Sequence, residues 1–149
     1  MNIAALRVAQ IIGLLWAAPM SLVGLLVGIA AMPWGARAHV SDSALVFHKL
    51  PFGPGGALTL GNVILHTGHS LDEEITSYAC RGRSDGPQLR LGDHERAHVY
   101  QYLVLGLLFL PLYFACGGVS ASNRFEQAAD RYAQTGKGWW PWPRPPAQH

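Results

Sequence analysis

From residue 8 to residue 32 nearly every position is apolar, and no charged side chain occurs between Val8 and Ala36. As a helix this run would reach about 37 Å at 1.5 Å per residue, enough for a hydrocarbon core of about 30 Å. The pattern predicts a retained membrane helix. A cleaved signal peptide is the competing reading, because Arg7 precedes the run and Ala36-Arg37-Ala38 has the small-x-small form of a cleavage site. Signal cores, however, extend only about 7–15 residues. Pro19 predicts a kink or a split into halves too short to span. Gly24 and Gly28 form a small-xxx-small pair suited to packing a partner helix. Arg7 on one side and Arg37 and Lys49 on the other are nearly balanced, so orientation stays open.

Beyond this run the periodicity changes. Residues 51–56 combine proline and glycine and read as a loop. Residues 57–66 are β-branched and apolar over a strand's length, with residues 45–48 as a short partner strand. Residues 70–85 are polar and predict a loop, with a strand at 75–80. Residues 88–91 alternate polar and apolar, as in a half-exposed strand ending at Gly92. Asp93 is an acceptable N-cap for a helix. Residues 103–116 form an apolar stretch interrupted by Gly106 and Pro111. It is too short to span alone and reads as a helix buried against others or lying in a membrane interface. Residues 123–133 carry strong helix formers behind Asn123. Trp139, Trp140 and Trp142 next to Arg144 have the composition of an interfacial anchor. The elements predict an α+β fold in which an N-terminal membrane helix is followed by a small β-sheet packed on a core of about three helices. The expected division is an anchor over 1–36, a domain over 37–135 and a Trp/Pro-rich tail over 136–149.

Composition narrows the function. Charged residues make up 13% of the 149 positions, against about 25% in a typical soluble domain. With 50% hydrophobic residues the chain is not a disordered one, and a net charge of +2 excludes a strongly basic nucleic-acid binder. Cys80 and Cys116 form neither a disulfide framework nor a CxxC ligand pair, and Cys116 reads as a buried thiol.

His94-Glu95-Arg96-Ala97-His98 is a complete H-E-x-x-H. On a helix, residues four apart share a face, so both imidazoles can reach one ion. Glu95 lies about 100° around the axis, beside that face, where it can take a proton from water without being a ligand. Zinc suits such a set and lowers the pKa of its water to about 7. The bland alternative is a half-buried helix start with a solvated edge. Downstream, Glu126 and Asp130 are again four apart. Glu126 is the candidate third ligand, and Asp130 the acceptor for the outer N–H of a ligating histidine. Against this, Asn123 and Glu126 resemble a capping box, in which the carboxylate only reaches back to the cap amide.

Taken together, HERAH and the later FEQAAD resemble the gluzincin class of zinc metallopeptidases, which carries HExxH on one helix and ExxxD on a later one. The resemblance implies a zincin-like core with His94, His98 and Glu126 as Zn2+ ligands, Glu95 as general base and Asp130 as the partner behind a ligand. The chain is also similar to a group of small, uncharacterised bacterial membrane proteins, through residues 59–65, 94–102, 106–113 and 123–129. Arg124 departs from that group's usual proline. Localisation in a bacterial-type cytoplasmic membrane is the matching expectation.

Peptide hydrolysis also needs a group to polarise the carbonyl, for which Tyr102, Tyr132 and His66 are candidates. His66 and His69 form a lesser candidate ligand pair. The expected function is therefore membrane-anchored, zinc-dependent peptide-bond hydrolysis on a peptide or protein substrate. Two alternatives keep the same residues as a structural metal site or polar core network, or make the chain a metal-free helix-packing scaffold.

Overall fold

A computed structural model describes residues 3–41, 44–53, 55–77 and 86–142. Residues 78–80 of the strand expected at 75–80, Cys80 among them, lie outside these residues. The protein is α+β: a small sheet is covered on one face by the N-terminal helix and on the other by a helix that follows the strands.

Helix α1 (Ile3–Ala31) runs through Pro19 without the expected split; one proline removes one N–H from the ladder, and packing on either side holds the helix together. A single 3₁₀ turn, Met32–Trp34, closes on Gly35 at φ +102° and redirects the chain into the sheet. That sheet contains β1 (Arg37–Ser41), β2 (Ala44–His48), β3 (Ala57–Leu60) and β4 (Val63–His66) in the order β1-β2-β4-β3. β2 lies parallel to β4, and the other pairs are antiparallel. The stretch expected as one strand over 57–66 is thus a hairpin. Gly61, at φ +64°, takes the first central position of a two-residue turn between the paired Leu60 and Val63. A positive φ there suits glycine and matches the twist of the strands. A second, two-stranded sheet pairs β5 (Glu74–Thr76) with β6 (Gln88–Arg90).

Alternation along the strands produces two apolar faces. Phe47, Leu65, Val63 and Leu60 face α1, whereas Ala44, Val46 and Ile64 face Val99 on α2 (Leu91–Leu105). α1 lies very close to this sheet. A Cβ at Gly24 would stand 2.9 Å from Val63 Cβ, and one at Gly28 would overlap the Phe47 ring. The Gly24/Gly28 pair, expected to receive a partner helix, is filled by the chain's own strands.

α2 begins at Leu91, two residues before the expected Asp93 cap, with Arg90 as N-cap and Asp93 in the first turn. It ends where Gly106, at φ +54°, opens a 3₁₀ turn into α3 (Phe109–Ala115). A side chain at Gly106 would overlap Trp16 of α1. Helix α4 (Arg124–Thr135) is capped by Asn123, whose side chain accepts from Phe125 N at 2.9 Å. Ala17 of α1, Tyr102, Phe109, Tyr113 and Phe125 share one core. The tryptophan segment folds back onto it: Trp142 meets Phe125 edge-on at 5.5 Å, and Arg131 holds the carbonyls of Gly138 and Trp140. Residues 139–142 of the segment expected as an interfacial anchor are thus docked on the protein, where their rings find aromatic partners; Arg144 lies outside the described residues.

Two stretches, Arg7–Trp34 and Leu91–Ala115, are long and apolar enough to cross a membrane. The second is broken at Gly106 and turns His94, Glu95, His98 and Gln101 into the interior, so we read it as part of the core.

Candidate metal centre

α2 and α4 pack against each other and bring the two halves of the sequence motif face to face. His94, His98 and Glu126 are 1%, 6% and 3% exposed. His94 Nε2 lies 3.2 Å from His98 Nε2 and 3.0 Å from Glu126 Oε2, and His98 Nε2 lies 3.6 Å from the same oxygen. A tetrahedral ion with bonds of about 2.0–2.1 Å separates its ligand atoms by about 3.3 Å. The triangle has that size, and these three side chains form a buried group able to hold a metal ion.

The outer contacts orient this triangle. His94 Nδ1 lies 3.0 Å from Asp130 Oδ1, an acceptor-only carboxylate when ionised. His98 Nδ1 lies 2.8 Å from Gln101 Oε1. The Gln101 amide cannot be reversed without loss, because its Nε2 donates to Trp139 O at 2.8 Å and to Phe125 O at 3.3 Å. Both Nδ1 atoms therefore carry a hydrogen, and whenever the rings are neutral both Nε2 atoms point lone pairs inward. Tyr113 OH donates to Glu126 Oε1, leaving Oε2 for the centre. Two lone pairs and a carboxylate oxygen thus converge with no donor among them. Such a cluster repels itself unless a cation or a proton occupies it.

The metal-free titration reflects this. Burial pulls the pKa of His94 down, but its hydrogen bonds to Asp130 and Glu126 outweigh burial and raise it to about 10. Burial alone would raise Glu126; the bonds to His94 and His98 hold it instead well below the usual carboxylate range. Without metal, a proton on His94 supplies the missing positive charge.

Of the expected site residues, His94, His98, Glu126 and Asp130 are brought together as anticipated. Glu126 does not act as a capping-box carboxylate: the Asn123 amide donates to Ser120 O at 3.1 Å, while the Glu126 carboxylate meets His94 and Tyr113. Glu95 is buried beside the triangle and accepts from Thr59 Oγ1 of β3 at 2.7 Å. Its charge acts on both the His94 and His66 rings.

The three carbonyl-polarising candidates are placed otherwise. Tyr102 packs its ring 4.0 Å from Phe109, with its hydroxyl buried and without a hydrogen-bond partner. Tyr132 meets Tyr100 edge-on at 5.6 Å. His66 turns to His48 rather than to the exposed His69. Gln101, Tyr113 and Thr59 were not anticipated. Gln101 follows His98 by three residues, hence on the same helix face, and that spacing was its available signal. Tyr113 and Thr59 come from other elements, and no spacing ties them to the histidines, although both fall in segments 59–65 and 106–113 that carry the resemblance.

A cleft lined by Ser41, Ile64, Arg90, Asp93, Arg96 and Tyr100 lies beside the start of α2 and includes none of the three candidate ligands. Comparisons with models of known protein families, with curated proteins and with solved structures found no match.

Proposed function

We propose that the protein is a membrane-anchored, zinc-dependent hydrolase of peptide bonds. The observation that carries this reading is the convergence of His94 Nε2, His98 Nε2 and Glu126 Oε2, at 3.0–3.6 Å, beside a buried Glu95. When bound, Zn2+ supplies Lewis acidity for a carbonyl and lowers the pKa of water to about 7. The chain's own residues do the rest. Asp130 and Gln101 hold the imidazoles in the ligand tautomer, and Tyr113 fixes the rotamer of Glu126. Glu95 is the proton acceptor, with Thr59 orienting its carboxylate. Zinc held by these three residues alone would keep a fourth position for water or substrate, as catalytic zinc does and a closed structural site does not.

The anchor is α1. Ile11, Ile12, Leu15, Leu22, Leu26 and Ile29 are exposed along its outer side, an apolar surface that lipid would cover. Ala17 and Ala31 on its inner side are fully buried, so anchoring α1 holds the metal centre close to the bilayer.

The depth of burial favours a second reading, a structural metal site, because none of the three ligands opens onto the cleft beside α2. Purified protein is assayed for zinc and for cleavage of a pool of quenched-fluorescent peptides. Hydrolysis by the wild type, lost in Glu95→Gln at unchanged zinc content, is the expected result. Stoichiometric zinc with no cleavage, and no effect of added azide on the spectrum of the Co2+-substituted protein, favours the structural reading. Loss of zinc in Glu95→Gln refutes the role given to Glu95.

A further inference from the structure

The sheet face that carries Thr59 toward Glu95 continues into a second group of imidazoles. Phe47 pairs with Leu65 in the parallel register, so His48 and His66 stand side by side at the carboxyl ends of β2 and β4. Alternation puts both on the Val46/Ile64 side. Their Nδ1 atoms lie 3.0 Å apart, and the residues are 8% and 1% exposed. His39 of β1 stacks on His48 with ring centroids 4.7 Å apart and planes within 8°. Behind His66, the buried Nε2 has no hydrogen-bond partner and faces Glu73 Oε2 at 3.6 Å. Gly68 makes that approach possible: a Cβ there would lie 2.6 Å from Glu73 Oε1 and 2.8 Å from His66 Nε2.

Burial holds both histidines below their ordinary pKa, so near neutral pH both rings are uncharged, the form that binds metal. One proton shared between the Nδ1 atoms satisfies them as a hydrogen bond, and a metal ion would satisfy both at once. At bond lengths of about 2.0–2.1 Å, neighbouring nitrogens stand about 2.9 Å apart around a square-planar ion and about 3.3 Å around a tetrahedral one. The observed spacing falls in this range, as does that of His94 and His98. A carboxylate stands behind this ring as Asp130 stands behind His94, at 3.6 Å here against 3.0 Å there. The carboxyl ends of parallel strands are also where open sheets commonly bind ligands.

We propose that His48 and His66 form a second binding site, independent of the first, for a divalent cation of the imidazole-preferring kind, with Glu73 orienting His66. In the test, the full chain in detergent is dialysed against Zn2+ and the zinc bound per chain is counted. Two equivalents are expected for the wild type and one for His48→Gln. Glu126→Ala is expected to keep the equivalent that His48→Gln loses. Glu73→Gln, at a carboxylate 47% exposed, is expected to weaken the second equivalent about tenfold without unfolding the protein. A single equivalent, lost with Glu126→Ala, overturns the proposal, as do two equivalents indifferent to His48→Gln. If His48→Gln does not fold, an unchanged affinity in Glu73→Gln overturns it. Two equivalents that survive Glu126→Ala while one is lost in His48→Gln refute the first centre and leave the second standing.

Discussion

Replacing Gln101 with leucine tests the tautomer reasoning behind the metal centre. The wild-type amide accepts from His98 Nδ1 at 2.8 Å and donates to the carbonyls of Phe125 and Trp139. Leucine is of similar size but offers no polar atom, so it leaves a buried imidazole N–H without an acceptor and two carbonyls without that donor. An unsatisfied buried N–H costs about 1–3 kcal/mol. The ring relieves this by moving its hydrogen to Nε2, where it blocks the ligand position. Removing such an outer partner lowers metal affinity by about 10–100-fold, equivalent to roughly 1.4–2.7 kcal/mol. Gln101→Leu is therefore expected to lose zinc to a chelator at 10–100-fold lower chelator concentration than the wild type. At about 2–4 °C per kcal/mol, the metal-free protein should melt several degrees lower as well. Gln101→Glu, which restores an acceptor for His98, should recover most of the affinity but not the lost carbonyl contacts. Zinc affinity in Gln101→Leu within twofold of the wild type would refute the inward-facing His98 Nε2.

Other outcomes are expected from the same geometry. His94 in the metal-free protein has a pKa raised to about 10, so zinc must displace a proton, and its apparent affinity should rise about tenfold per pH unit from pH 7 to about 9; a flat calorimetric profile would contradict this. The same raised pKa stabilises the metal-free fold fully below the unfolded value near pH 6.5, and that contribution is lost as pH rises through about 10. Denaturant midpoints of the metal-free protein should accordingly fall from pH 7 to pH 10. Asn123→Ala should cost about 1 kcal/mol or more of stability through the lost cap and leave zinc bound at His94 and His98, whereas Glu126→Ala should lose that equivalent; equal metal affinities would favour a purely structural role for Glu126. Gly28→Ala puts a methyl group into the Phe47 ring, and overpacking of about 1–3 kcal/mol should lower the melting temperature. An unchanged melting temperature would show that α1 is not seated on the sheet.

How much of the fold and the site is legible in the sequence depends on the range of the interaction. His94 and His98 sharing a face, Asn123 as a cap and the charge-free run of α1 are set by residues within about one helical turn of each other, or by a simple length. Glu126 and Asp130 are likewise legible as one helix face. The Gly61-Asn62 turn is also written locally, but the apolar stretch around it hides the hairpin, since periodicity alone does not separate one long strand from two short ones. The start of α2 moves to Leu91 because a helix end depends on its tertiary surroundings as well as on the cap residue: the Leu91 and Gly92 amides donate to the carbonyls of Glu73 and Leu71.

The amino-acid order alone determined which side chains could be ligands, which carboxylate could sit behind a ring, and that the first thirty-odd positions seek an apolar environment. Only the folded chain decided that α2 and α4 meet, that Gln101 and Tyr113 hold the candidate ligands His98 and Glu126, and that the glycines of α1 receive the sheet rather than another helix. It also decided that His48 and His66, eighteen positions apart, become neighbours through a parallel pairing. Helical spacing and caps are satisfied within a few residues, so they leave a local trace. Convergence of distant elements is selected by the burial of whole faces, and no short stretch of sequence carries that information.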